Sequence, residues 1–276
     1  MTGVGTSTAG DGVARLLLRY VLLAYGISWL LFAPAPSVGG AAGWVLAVAG
    51  AFGPAAAAGL VVRRSGGSLR GWLRPLLRWR VPVRYWVYAL GLPVVLFLSV
   101  GGVIVVSGDQ VHLDRLGPAT DWIVFFILVW LPTGAGEELG WRGLALDLLQ
   151  ARHSPLAATV LLGLIWGVWH LPFYGDAISV LGVALTAFYF TWLWNRTGSL
   201  LLCAILHGAL NASQSALVFV GGGPVAFVGG GPVAPAILGV MFVGALALVV
   251  STRGRLGFDD RPELVAERVA DLGVRG

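Results

Sequence analysis

The chain contains no lysine: all 18 basic residues among its 276 are arginine, set against 13 acids. Charge of either sign is scarce, at 11% of residues, where a soluble globular domain carries about 25%. With hydrophobic residues at 57%, that scarcity excludes a water-soluble core and points to an integral membrane protein. Cysteine is nearly absent. The single Cys203 excludes an internal disulfide framework and any thiolate metal cluster, and inside an apolar run it reads as a packing thiol rather than a nucleophile. H-E-x-x-H and G-x-S-x-G are also missing, which removes two common protease and hydrolase signatures. The basic pI near 10.0 does not mark nucleic-acid binding, because the arginines stand in short loops between apolar runs.

Those runs are what the sequence does contain. Crossing a bilayer takes about 20 apolar residues, and eight candidates lie at roughly 14–35, 41–62, 85–107, 121–149, 155–174, 177–195, 199–219 and 234–251. They predict an all-α, polytopic transmembrane helical bundle of about eight spans. Residues 1–252 form its one domain and 253–276 a cytoplasmic tail. The first run is too long for a cleavable signal peptide, and no small-residue cleavage site follows it. The loop RRSGGSLRGWLRPLLRWRVPVR (63–84) holds seven arginines and no acid, which predicts that it is cytoplasmic. That choice also places both termini, Arg15, Arg19, Arg152 and Arg196 inside. Connections 108–120, 175–176 and 220–233 fall outside, with Asp109, Asp114, Asp176 and one arginine, Arg115. Within the basic loop, LRGWLRPLLRW reads as a topology anchor or as a short helix on the anionic inner surface. The repeated VGGGPVA at 220–226 and 228–234 reads as a flexible linker. The segment 259–276 reads as a short amphipathic helix capped near Asp259 or Asp260, without catalytic content.

Few ionisable groups remain inside the spans: Glu137, Glu138, Arg142, Asp147, His170 and His207. Asp147 stands near the cytoplasmic end of its helix, where charge is cheap. The others are expensive, since a charge at the bilayer centre costs about 2.5–3.5 kcal/mol on insertion scales, and they are functional candidates by default. Gly134, Gly136, Gly140 and Gly143 around them would admit close approach of a neighbouring helix or a substrate backbone. Glu138 and Arg142 are i,i+4 neighbours and predict an ion pair. Glu137 points off that face and has no partner on its own helix. A lone carboxylate in a low-dielectric site suits a general base working near neutral pH. Trp166 and His170 share a face of the fifth run, as His207 and Asn211 do on the seventh. His207 should lie nearer the cytoplasm than His170, a mismatch that a tilt or an early helix end must absorb.

E137-E138-x-x-x-R142, then W166-x-x-x-H170, then H207-x-x-x-N211 resembles the three-motif signature of the CAAX-protease and bacteriocin-processing (CPBP, or Abi) intramembrane proteases. Eukaryotic type II CAAX prenyl endopeptidases belong to the same group. The likeness is close over about 115–215 and departs at Trp166, where the family more often has phenylalanine. It implies an intramembrane peptidase acting on a membrane-anchored peptide or protein. Glu137 is then the general base, and His170 helps to hold the attacking water. His207 and Asn211 stabilise the oxyanion, and Glu138 and Arg142 support the site or position substrate. The family's metalloprotease label makes Glu137, His170 and His207 the ligands of a possible zinc ion, but the favoured reading uses no metal. The lysine-free, Ala/Gly/Arg-rich composition suggests a GC-rich bacterial genome and an inner-membrane protein whose site opens to the cytoplasm. There a bacteriocin precursor or anti-sigma-type protein fits better than a prenylated substrate. Two other classes stay open: a catalytically silent scaffold or immunity protein, and an ion- or proton-coupled transporter. Against the transporter, the chain shows no inverted repeat with paired broken helices.

Overall fold

Apolar runs become helices, and their breaks fall at proline and glycine. The computed structural model describes residues 7–108, 119–217, 233–258 and 262–273, which are helical with no strand among them. The main helices are α1 (Ser7–Phe32), α2 (Gly40–Ala51), α3 (Gly53–Arg64) and α4 (Val83–Val106). They are followed by α5 (119–150), α6 (Pro155–Trp169), α7 (Ala177–Thr197), α8 (Leu200–Leu217), α9 (Val233–Ser251) and α10 (Pro262–Asp271). Over the described residues, each of the eight expected apolar runs is mostly helix. Four helical stretches, Gly12–Val38, Gly40–Arg64, Val83–Val106 and Ala177–Thr197, are long and apolar enough to cross a membrane, and three shorter apolar helices accompany them. The chain is a multi-pass membrane protein. The expected outer connections 108–120 and 220–233, with the VGGGPVA repeat, and the expected cap at Asp259 or Asp260 fall largely or wholly outside the described residues. The third, 175–176, is the turn between Tyr174 and α7.

Two runs are less regular than their composition suggests. The second breaks at Phe52, between α2 and α3, because Pro54 has no N–H to continue the ladder. The Gly50 carbonyl is taken instead by the Ser28 hydroxyl of α1 at 2.8 Å. The fifth run ends early. Its helix α6 stops at Trp169, and only the single turn Leu171–Tyr174 follows, begun by Pro172 and closed by Gly175 at φ 78°.

Around α5 the packing is tight. A methyl group at residue 134 would lie 2.6 Å from the Ala204 carbonyl oxygen of α8. One at residue 140 would lie 2.4 Å from the Tyr20 hydroxyl of α1 and 2.6 Å from Pro54 of α3. The outer faces are apolar and exposed, with Leu18, Leu22 and Leu30 on α1, Val87, Val94 and Leu98 on α4, and Phe242 and Val250 on α9. Lipid suits those faces as water does not.

The arginine-bearing connections gather at one end. Ser199 bonds the Arg78 carbonyl at 2.6 Å, and Asn195 bonds the Leu256 carbonyl at 3.0 Å. Helix α10 also docks there, through Ser68 N–H to the Asp271 carbonyl at 2.8 Å. The basic loop turns Trp72 inward, where its indole bonds the Leu139 carbonyl of α5 at 3.1 Å, and leaves Leu73, Leu77 and Trp79 outward. Asp147 stands near the end of α5, as expected, but its charge is buried there and is held by the Trp194 indole at 3.0 Å and by Arg268 of α10 at 3.3 Å. The tail is therefore part of the packed structure.

Candidate active site

Helix α5 changes its winding around the two glutamates. Ala119–Val129 is α-helical, Trp130–Ala135 is a π turn, Gly136–Gly140 returns to α, and Trp141–Leu146 is a second π turn before Asp147–Gln150. A π turn spans i to i+5 and recurs at functional sites. Pro132 gives the first one a local cause, since it cannot donate to the α ladder. Glu137 and Glu138 sit on the short α segment between the two, both buried.

Glu138 behaves as expected and does more. Its Oε1 accepts from Arg142 Nη1 at 3.0 Å and also from His207 Nδ1 at 2.8 Å. The guanidinium is sandwiched between the Trp166 ring at 4.1 Å and the Phe190 ring at 4.3 Å, cation–π contacts that offset part of its burial. Glu137 does not lack a partner, as its position on α5 alone suggested. A different helix supplies one: the Trp166 indole N–H donates to Glu137 Oε2 at 2.8 Å.

Both histidines turn a nitrogen toward Glu137. His170 Nε2 lies 3.9 Å from Oε2, and His207 Nε2 lies 3.9 Å from Oε1. Their other nitrogens are committed. His170 Nδ1 donates to the Trp166 carbonyl at 2.9 Å, and His207 Nδ1 donates to the Glu138 carboxylate. Acceptors of that kind fix which ring nitrogen carries the hydrogen. Tyr174 stacks on His170 with centroids 5.4 Å apart and planes 13° apart, and Trp169 meets His170 edge-on at 4.7 Å. His170, the residue that caps α6, and His207 of α8 thus face the same carboxylate from two helices. Asn211 sits one turn along α8 from His207 and donates to Thr133 Oγ1 of the first π turn at 3.0 Å, which engages one of its two amide hydrogens.

Of the residues singled out in the sequence, Glu137, Glu138, Arg142, His170 and His207 converge, and Asn211 is adjacent. Sequence reasoning missed the donor role of Trp166, the bond from Glu138 to His207, the ring of Tyr174 and the acceptor Thr133. One signal was available: a buried indole needs an acceptor for its N–H, and Trp166 shares a face with His170. Among the described residues no three His, Cys, Asp or Glu side chains are arranged as ligands of one metal ion. The 3.9 Å separations also exceed the ~3.3 Å between neighbouring ligands that ~2.05 Å bonds would give at tetrahedral zinc.

Fold and site together define a multi-pass helical membrane protein that buries a glutamate between two histidines. Residues 119–213 match the family of type II CAAX prenyl endopeptidases described as Rce1-like. The chain is also 33% identical to CAAX prenyl protease 2 of Methanococcus maripaludis over 156 residues, which covers 48% of this chain and 55% of the relative. It thus spans about half the length of the curated relative that it matches. The segment that carries the three motifs is thus similar to CAAX proteases, the family that those motifs resemble.

Proposed function

We propose that this protein is an intramembrane endopeptidase that hydrolyses a peptide bond of a membrane-associated protein, with Glu137 as general base toward water. One observation carries the reading: the Nε2 atoms of two histidines face the two oxygens of one buried carboxylate at 3.9 Å each. That distance is too long for a direct hydrogen bond and suits a bridging water. A water between Glu137 Oε2 and His170 Nε2 would give one hydrogen to each acceptor and aim its lone pair at a substrate carbonyl. As the C–O bond forms, its proton passes to Glu137. The oxyanion accepts from His207 Nε2–H and the second N–H of Asn211. In that role His207 is an imidazolium, whose charge the Glu138 carboxylate balances. Glu137 then gives its proton to the departing amine, and a carboxylic acid and an amine leave. No step uses a metal.

The relative's name makes a prenylated C-terminal CAAX peptide the first substrate to try, with an unprenylated membrane-anchored peptide as the second. The arginine-rich end is assigned to the cytoplasm of a bacterial inner membrane by the positive-inside rule. The test uses purified protein in liposomes and internally quenched peptides ending in a CAAX cysteine, with and without farnesyl on its sulfur. Cleavage by the wild type that disappears in Glu137→Gln supports the proposal. Wild-type turnover in Glu137→Gln would overturn it.

A further inference from the structure

Trp166 touches both members of the pair assigned to water activation, and we infer that it is the positioning residue for that step. The inference rests on the reading of Glu137 as general base. The indole N–H bonds Glu137 Oε2 at 2.8 Å, while the backbone carbonyl of the same residue accepts His170 Nδ1–H at 2.9 Å. That carbonyl is available because α6 stops here: His170 N–H bonds Gly167 instead, and Pro172 cannot extend the ladder. One residue thus sets the carboxylate by its side chain and the imidazole tautomer by its backbone.

The ring cannot swing away. It is 3% exposed and meets Phe190, His207 and His170 edge-on at 5.6, 5.5 and 5.7 Å, with the Arg142 guanidinium 4.1 Å over its face. A donor held this rigidly fixes the rotation of the Glu137 carboxylate. It occupies one lone pair of Oε2, turns the other toward His170, and leaves Oε1 facing His207. A phenylalanine here would keep the packing and lose the donor, and the carboxylate would then be free to turn about its last torsion.

The test removes the donor while keeping the ring. Trp166 is replaced by phenylalanine and, through non-natural incorporation, by benzothienylalanine, which has the indole shape with sulfur in place of N–H. Cleavage of the farnesylated quenched CAAX peptide, or of the unprenylated one if that is the better substrate, is followed for both. Each variant should lower kcat about 10- to 100-fold through misorientation, with KM unchanged and thermal unfolding close to wild type. Wild-type kcat in the benzothienylalanine protein would overturn the inference. A second readout needs no substrate: the Trp166 indole 1H–15N resonance, identified by its loss in Trp166→Phe, should move upfield in Glu137→Gln, because an amide oxygen accepts less strongly than a carboxylate. A resonance that does not move also overturns the inference. The two readings fail separately. Full turnover in Glu137→Gln sinks the general base, whereas an inactive Glu137→Gln beside a fully active isostere sinks only the role of Trp166.

Discussion

Two neighbouring carboxylates do different work because their partners differ. Glu137 meets an indole and two outlying histidine nitrogens, while Glu138 meets a guanidinium and a histidine at hydrogen-bonding distance. Glu137→Gln preserves shape and the Trp166 contact, so folding should survive and cleavage should not. Glu138→Gln strips the charge that Arg142 and His207 share in a buried site, and breaking such a buried pair costs about 3–5 kcal/mol. Thermal unfolding in detergent should therefore fall markedly for Glu138→Gln and barely for Glu137→Gln; equal losses would refute the division. Asn211 carries a second prediction. Asn211→Ala should cut turnover about 10²–10³-fold with little change in KM, and Asn211→Asp should be at least as harmful, since a carboxylate repels an oxyanion. Single-turnover cleavage with and without 1,10-phenanthroline checks this alongside the metal question. Activity lost to chelator, restored by stoichiometric zinc and indifferent to Asn211→Asp, would reverse the metal-free reading. The Glu138–Arg142 pair was legible in the sequence, because i,i+4 spacing lies within one helix. The partner of Glu137 was not, since Trp166 reaches it from 29 positions away and only the packing of α6 on α5 decides that contact.

At the level of elements, the helices were readable from apolar length, but their interruptions were not. Pro54 and Pro172 stood in plain view, yet in a long apolar run they could bend a span as easily as end it. The break at Trp169 matters most, because it frees the Trp166 carbonyl for His170 Nδ1. The two π turns in α5 have weaker signals, a proline in the first and none comparable in the second. Close approach was anticipated from the glycines, and Gly140→Ala should destabilise by about 1–3 kcal/mol as its methyl meets Tyr20 and Pro54. An unchanged unfolding temperature for that variant would mean that α1 and α3 give way. The tail was undervalued, because an amphipathic helix in sequence does not announce what it covers. Arg268→Met should cost about 1–3 kcal/mol by leaving buried Asp147 with only the Trp194 indole. The double variant Asp147→Asn with Arg268→Met should recover part of that loss in the same thermal assay.

For the whole molecule, sidedness is the property that organises the rest. Cysteines placed at exposed Ser68 and His153 should react with an impermeant thiol reagent only after the membrane is opened, and one at exposed Ser107 should react in intact cells. The native Cys203 is buried and should stay silent. Labelling of Ser68→Cys in intact cells would invert the proposed orientation and move the site's opening with it. The gathering of arginine-bearing connections at one end has a further, electrical consequence. A membrane potential acts on each charge with about 2.3 kcal/mol per 100 mV, so moving the seven arginines of residues 63–84 across an inside-negative bilayer would cost roughly 16 kcal/mol per 100 mV. Guanidinium stays protonated at any pH a cell reaches, whereas an ammonium can be neutralised. An energised membrane therefore keeps pulling the arginine-rich end inward long after insertion, and acid or alkaline stress leaves that pull intact.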